Sequence, residues 1–181
     1  MKKFILIIAA LIAFYHANAQ QYIENDVTNN GVRHIIAKPA IFYHQSELYI
    51  LAWNYLNSAD KNVDNFCLSV SCYDQAAPWN VSAGDKIYLG ELLENKYIEL
   101  TALMDAAPEA YETENGIKYK TSAYYFIPKN YYDKLYKGFD RFKIDVKVKN
   151  KVPVTLDVKL PYSAIEHMLL SYLDIMIATG R

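Results

Sequence analysis

The chain has 181 residues and is close to neutral, with 19 Lys and Arg against 20 Asp and Glu. This balance gives no electrostatic reason to expect nucleic acid or an anionic membrane as a partner. The 6 glycines and 6 prolines are too few for a disordered or low-complexity protein. The one strong anomaly of composition is tyrosine, with 17 residues.

The N-terminus has the pattern of an export signal that is removed from the mature protein. Two lysines precede an apolar run over 4–14, and Ala17-Asn18-Ala19 forms a small-x-small cleavage site. The run is too short to span a bilayer, and no later segment approaches the required length. We therefore expect a leader over 1–19, no transmembrane segment, and a mature single domain over 20–181. That domain is expected to be soluble and exported, either periplasmic or secreted.

The first part of the mature chain predicts a short strand and then two longer ones. The polar segment 20–31 is expected to be a loose lead-in, and Val32–Lys38 a strand that Pro39 ends. Glu47–Asn57 is apolar on both faces, which predicts a central strand that is covered on both sides. Phe66–Tyr73 is the next predicted strand.

The two cysteines of an exported protein invite a disulfide, but their positions argue against one. Cys67 and Cys72 lie on the same predicted strand, and their odd separation places the side chains on opposite faces. Their Cα atoms would be roughly 16 Å apart at about 3.3 Å per residue, which is beyond the reach of a disulfide. We expect two buried free thiols.

The middle of the chain predicts an irregular segment, a hairpin and a loop. Residues 76–84 contain proline and glycine breakers, and Lys86–Leu93 with Tyr97–Met104 predicts a hairpin. Asp105–Asn115 has acidic residues and no basic one, so we expect a solvated loop. Its carboxylates do not have the spacing of a calcium loop: Asp105, Glu109, Glu112 and Glu114.

A strand, a short helix and another strand follow. Tyr119–Ile127 alternates like a half-buried strand, and 130–138 predicts a short helix that Asn130 caps. Phe142–Val148 alternates strictly between apolar and polar residues. The alternation resumes over Val152–Leu160, where a proline on the polar face indicates an edge strand.

The chain ends in a predicted helix over 163–179, with Ser163 and Glu166 as a capping box. Its broad apolar face consists of Ile165, Met168, Leu169, Tyr172, Leu173 and Met176. On another face of this helix lie His167, Ser171 and Asp174, which are the residue types of a hydrolase triad. All three project from one helix, so we interpret them as a solvated polar stripe.

These elements predict a mostly β fold, an antiparallel β-sandwich of about eight strands. The short helix 130–138 and the C-terminal amphipathic helix 163–179 are expected to pack on it. We expect the C-terminal helix to cover the second face of the strand around Trp53. The histidines of the mature chain are His34, His44 and His167, which do not cluster in sequence. No metal-ligand spacing appears either, so no metal or cofactor is predicted.

Tyrosines crowd the predicted strand 119–127 and the short helix. Tyr125 shares one face of the strand with other apolar residues, while Tyr124 lies on the opposite face, so some rings are expected to reach the surface. Exposed tyrosines suit recognition of a protein or a glycan, because each ring combines apolar area with a hydrogen-bonding tip. The alternative is ordinary packing. The candidate ligand-binding residues are Tyr124, Tyr131, Tyr132 and Tyr136.

Several short patterns over about 81–147 resemble small exported β-rich proteins of unknown function that are common in Bacteroidetes. They are Gly84-Asp-Lys-Ile-Tyr-Leu89, Ile98-Glu-Leu100, Tyr124-Tyr-Phe-Ile127, Leu135, Gly138 and Phe142-Lys-Ile144. The resemblance implies an exported β-rich protein. It carries no established activity, so it assigns no residue a role.

No catalytic motif stands out from these patterns, so the sequence favours a binding or interaction module of the cell envelope without catalytic activity. Two alternatives stay open. One is a hydrolase that acts on envelope or dietary polymers, with carboxylates that come together only in space. The other is a structural subunit of a surface assembly, which docks through edge strands and an apolar helix.

Overall fold

The computed structural model describes residues 21–58, 63–75, 78–91, 96–148 and 153–180. The expected leader over 1–19 lies outside these residues. The strands are β1 (Ile23–Asn29), β2 (Val32–Ala37), β3 (Ala40–His44), β4 (Glu47–Ser58), β5 (Val63–Gln75), β6 (Trp79–Asn80), β7 (Lys86–Glu91), β8 (Tyr97–Ala102), β9 (Glu109–Thr113), β10 (Gly116–Ile127), β11 (Phe139–Val148) and β12 (Val154–Lys159). The helices are α1 (Tyr132–Leu135), which follows a 3-10 turn (Lys129–Tyr131), and α2 (Tyr162–Thr179).

The strands form one open sheet in which every pairing is antiparallel. Its order is β1-β2-β4-β5-β10-β8-β7-β11-β12, while β3, β6 and β9 pair beside this path with β4, β11 and β10. The antiparallel β-rich class is therefore confirmed. The described strands number twelve instead of about eight, and they are not divided between the two sheets of a sandwich.

Two segments that were expected to be loops are strands. β1 lies within the expected lead-in 20–31, and β9 lies within the expected acidic loop Asp105–Asn115. Both are polar and mostly exposed, so they lack the apolar alternation that predicts a strand. Each forms because a tight hairpin turn brings it against a neighbouring strand that is more buried. The turns are at Asn30–Gly31 and just before Gly116, and φ is positive at Asn30, Gly31 and Gly116.

The sheet folds over on itself so that one of its faces encloses the core. β4 and β11 are far apart along the sheet, yet their side chains meet in the interior. The ring of Tyr49 lies 5.8 Å from that of Phe142, and Trp53 lies 6.0 Å from Phe139, both measured between ring centroids. We call this enclosed side the inner face and the opposite side the outer face.

Helix α2 covers the inner face of the central strand, not its second face as expected. The indole Nε1 of Trp53 donates a hydrogen bond to the backbone oxygen of Met168 at 2.7 Å, and the Tyr172 ring lies 5.8 Å from the indole. The helix also packs against β1, β2 and β3 on one side and against β11 on the other. It therefore lies between the two halves of the folded sheet.

The expected apolar stripe of α2 is rotated in the structure. Leu169 is only half-buried, whereas the expected polar stripe is drawn inward: Ser171 is fully buried and Asp174 is 8% exposed. Ser171 Oγ donates to Met168 O, and Asp174 Oδ2 accepts the Tyr22 backbone N–H at 2.8 Å. Local hydrogen bonds thus satisfy these groups in the interior, which a helical wheel cannot foresee.

The expected caps of both helices are replaced by prolines. Pro161 precedes α2 without a side-chain cap, so the Ser163 and Glu166 capping box does not form, while Gly180 ends the helix in the left-handed conformation as expected. The short helix predicted over 130–138 is a 3-10 turn and one α-turn. Pro128 takes the capping position that was expected for Asn130.

The rotation of α2 predicts unequal effects of two neighbouring truncations. Met168→Ala removes a buried side chain and should lower the free energy of unfolding by about 2–5 kcal/mol. Leu169→Ala removes a half-exposed side chain and should lower the free energy of unfolding by clearly less. Urea denaturation of the two variants measures the difference, and a larger loss for Leu169→Ala would contradict the observed face.

The two thiols are confirmed as free and buried on opposite faces of β5. Cys72 stands opposite Tyr49 on the inner face, and Cys67 stands opposite Asn54 on the outer face. We expect the folded protein to react slowly with a thiol reagent and the unfolded protein to react with two equivalents. A mass lower by two hydrogens, with no reactive thiol after unfolding, would contradict this arrangement.

Candidate interaction face

The outer face has a continuous region without charge where β3, β4, β5 and β10 lie side by side. We call this region the uncharged face; Lys120 of β10, which pairs with Glu109, lies at its border. None of the described residues that define it is Asp, Glu, Lys, Arg or His: Ile41, Tyr43, Leu48, Ile50, Ala52, Asn54, Cys67, Ser69, Ser71, Tyr73, Ser122, Tyr124 and Phe126.

Large apolar side chains stand at two borders of the uncharged face. On β3, Ile41 is 60% exposed and Tyr43 is 69% exposed, and they lie opposite Ile50 and Leu48 of β4. On β10, Tyr124 is 41% exposed. Large apolar side chains that are exposed together mark an interaction site more often than isolated exposed residues do.

Small polar residues fill the space between these borders, and they hydrogen-bond to one another. Ser71 Oγ donates to Ser122 Oγ at 2.8 Å, and Ser69 Oγ donates to Ala52 O at 3.1 Å. The Asn54 amide donates to Ser69 Oγ at 3.2 Å. Asn54 is only 7% exposed, so the sheet itself already shields its amide. Because the serine hydroxyl groups have partners within the sheet, an apolar ligand surface can cover them at a smaller desolvation cost.

The rest of the outer face is charged, which makes the uncharged face distinct. On β7, β8, β11 and β12 the outward side chains form ion pairs, with Lys86 Nζ 2.9 Å from Glu99 Oε1 and Lys143 Nζ 3.8 Å from Asp157 Oδ2. Lys143 Nζ also lies 4.9 Å from the centre of the Tyr97 ring. The uncharged face is therefore bordered by charged strands, with the Lys120–Glu109 ion pair at the far end of β10.

The structure divides the four candidate tyrosines between separate places. Tyr124 lies on the uncharged face, whereas Tyr132 is buried, with its ring centroid 5.6 Å from that of Phe66. Tyr131 is half-buried beneath Lys134, and Tyr136 is exposed with its ring edge against Tyr172. The expectation that one tyrosine-bearing face of β10 reaches the surface is confirmed, because Tyr124 is exposed and its neighbour Tyr125 is fully buried.

Strand β3 was not predicted from the sequence. Ala40–His44 follows a proline and lacks polar alternation, since Ile41 and Tyr43 on one face are as apolar as Phe42 on the other. The signal that could have found it is the same two-sided apolar pattern that identified β4.

The three residues of the hydrolase-triad types bond to separate partners. His167 Nε2 is 2.9 Å from Lys38 O, Ser171 bonds within its own helix, and Asp174 accepts the backbone N–H of Tyr22. Each side chain thus has a structural contact of its own.

The other candidates for chemistry are also dispersed. His34 and His44 lie at opposite ends of β4, beside Leu56 and Glu47, roughly 30 Å apart at about 3.3 Å per residue. Asp105 accepts the Ala83 N–H. Within the described residues, no group of three or more His, Cys, Asp and Glu side chains is placed to hold a metal ion.

A polar cluster lies at one end of the core, near the turn into β4. Tyr49 Oη donates to Glu47 Oε2 at 2.8 Å, and Cys72 Sγ lies 3.6 Å from the same oxygen. Burial, with the nearby Glu47 charge, raises the pKa of the Cys72 thiol to about 12, and burial alone raises that of Cys67 to about 11. Both thiols are therefore held in the protonated form, which is the weaker nucleophile.

Comparisons with known proteins identify no relative. No protein-family model matches the sequence, and no curated protein or solved structure matches it. Among the described residues, neither helix is long and apolar enough to cross a membrane. What the uncharged face does must therefore be inferred from its own side chains.

The raised thiol pKa values predict how stability depends on pH. An unfolded thiol has a pKa of about 8.5, so above that pH the unfolded chain loses protons that the folded chain retains. The contribution of the two thiols to the free energy of unfolding should therefore be constant below about pH 8 and should fall as the pH rises further. Urea denaturation under reducing conditions between about pH 7 and pH 10 measures this. Cys67→Ala should reduce the slope of the free energy of unfolding against pH by up to about 1.4 kcal/mol per pH unit. An unchanged slope would contradict the raised pKa of the Cys67 thiol.

Proposed function

We propose that this chain is an exported interaction module of the cell envelope that binds a partner protein through its uncharged face and catalyses no reaction. The observation that carries the proposal is the exposure of Ile41 and Tyr43 beside a strip of small, mutually bonded polar residues. Interface centres are depleted in charge and enriched in aromatic residues, as this face is.

A protein partner fits the composition of the face better than a glycan does. Glycan recognition uses aromatic rings together with free hydrogen-bond donors and acceptors. Here the borders include the aliphatic residues Ile41, Leu48 and Ile50, and the hydroxyl groups of Ser71 and Ser122 bond to each other. Burial of aliphatic area favours a protein surface, where each square ångström removed from water contributes about 25 cal/mol. Glycan binding is the competing outcome of the experiment below.

Export is part of the proposal, and its support comes from the N-terminal sequence. The lysines, the apolar run and the Ala17-Asn18-Ala19 site follow the pattern of a cleaved leader. The resemblance over about 81–147 to exported proteins of Bacteroidetes supports the same location, periplasmic or secreted.

The surroundings of the reactive side chains support the proposal that the chain catalyses no reaction. Burial raises the pKa of both thiols, and at Cys72 it outweighs the hydrogen bonds with Gln75 and Tyr49, which act in the opposite direction. His167 and Asp174 bond to backbone groups of Lys38 and Tyr22, so their contacts serve the packing of α2.

Two serine substitutions on the uncharged face test the proposal against matched controls. Ile41→Ser and Tyr43→Ser remove exposed apolar area from the face. Their controls are Ile117→Ser and Tyr162→Ser, which change the same residue types at 63% and 79% exposure outside it. Partners of the wild-type protein are identified by crosslinking in cell-envelope extract, purified, and measured by calorimetry. Each face variant should weaken binding by about tenfold or more, the effect of an energetically important interface residue.

The controls should bind like the wild type, and all four variants should keep its melting temperature within a few degrees because the side chains are exposed. Equal binding by the face variants and the controls would refute the proposal. If no protein partner is found and binding to a glycan array depends on Tyr43, the partner of this face is a carbohydrate and not a protein.

A further inference from the structure

The open sheet ends in a strand whose free edge is suited to a second copy of this chain. Among the strands that the structure describes, β12 is the last of the path and pairs with β11 alone. A free strand edge presents unpaired backbone donors and acceptors, which another strand can satisfy. We propose that two copies of this chain associate by antiparallel pairing of their β12 strands. This proposal concerns a surface separate from the uncharged face and does not depend on the function proposed for that face.

Charge distinguishes β12 from the other free edges. β1 contains Glu24 and Asp26 and no basic residue, and β9 likewise contains Glu109 and Glu112. Two copies paired through either strand would bring acidic side chains together, which is destabilising. β12 contains one acid and one base. The edge of β3 is approached by α2, which packs against it.

The inner side of β12 is apolar and incompletely covered. Val154, Leu156 and Val158 stand opposite inward residues of β11. Val158 is buried and Leu156 is half-buried, but Val154 is 45% exposed. Edge strands that avoid association often carry an inward-pointing charge. β12 has none on this side, so a second strand would continue the apolar surface of the core.

One register satisfies both the symmetry and the chemistry. A two-fold axis perpendicular to the sheet keeps inner residues opposite inner residues, so it must pass through a residue of β12. An axis at Asp157 would place two carboxylates opposite each other. An axis at Val158 would place Asp157 opposite Lys159 of the second copy, but it would leave the exposed Val154 outside the paired segment. An axis at Thr155 would carry the pairing beyond the start of β12 at Val154. An axis at Leu156 places Leu156 opposite itself, Val154 opposite Val158, and Thr155 opposite Asp157, so it brings no like charges together and covers Val154. The exposure of Val154 therefore points to the axis at Leu156.

The register is tested with pairs of single-cysteine variants. Thr155→Cys and Asp157→Cys introduce thiols at outward positions of β12, while the native thiols are buried. A short bismaleimide should crosslink an equimolar mixture of the two variants into a heterodimer, identified by a mass tag on one of them. Each variant alone should crosslink several-fold less. Ala110→Cys, an exposed position on β9, is the control and should not crosslink to either variant.

Sedimentation of the mature wild-type protein provides the second measurement. Its mass should double with concentration across about 1 μM to 1 mM, a range that covers modest association. Val154→Lys adds an inward charge at an exposed site and should remain a monomer with an unchanged melting temperature. A wild type that stays monomeric throughout, a dimer that persists in Val154→Lys, or crosslinking of Ala110→Cys equal to that of the mixed pair would overturn the proposal.

Discussion

The indole of Trp53 is the contact on which the rest of the structure depends. Its N–H donates to the backbone of α2 at Met168, and its ring lies within 6.0 Å of Phe66, Phe139 and Tyr172. These residues belong to β5, β11 and α2, so one side chain joins both halves of the folded sheet to the helix. A buried indole needs a partner for its N–H, and this requirement fixes the position of α2 more strictly than apolar contact alone would.

Because the inner face of the sheet lines the core, the outer face of the same strands points away from it. Alternate residues of a strand point to opposite sides, so the apolar residues that flank Trp53 on β4, Leu48 and Ile50 among others, cannot enter the same core. Leu48 and Ile50 are therefore only half-buried, and the polar residues beside them on the neighbouring strands bond to one another. The uncharged face is therefore a direct consequence of how the sheet encloses its core.

Sequence patterns predicted the elements that carry their own signal. The alternation over β10 and β11, the two-sided apolar pattern of β4 and the long terminal helix are all observed. The polar strands β1 and β9 were not predicted, because their strand conformation comes from hairpin partners and not from burial of their own side chains. The uncharged face could be predicted only at Tyr124. Its other border lies on β3, which was not predicted to be a strand.

The sequence by itself determined the antiparallel β-rich class, the separate faces of Cys67 and Cys72, and the end of the helix at Gly180, because each follows from local spacing or backbone preference. Only the tertiary structure decided which face of α2 is buried. Ser171 and Asp174 lie inside because their hydrogen bonds are satisfied there, and Asp174 finds its partner 152 positions away in the chain. The closing of the sheet around Trp53 was decided in the same way, since side chains from distant strands had to fit one space. Periodicity describes a segment alone, whereas burial depends on what the rest of the chain brings to it.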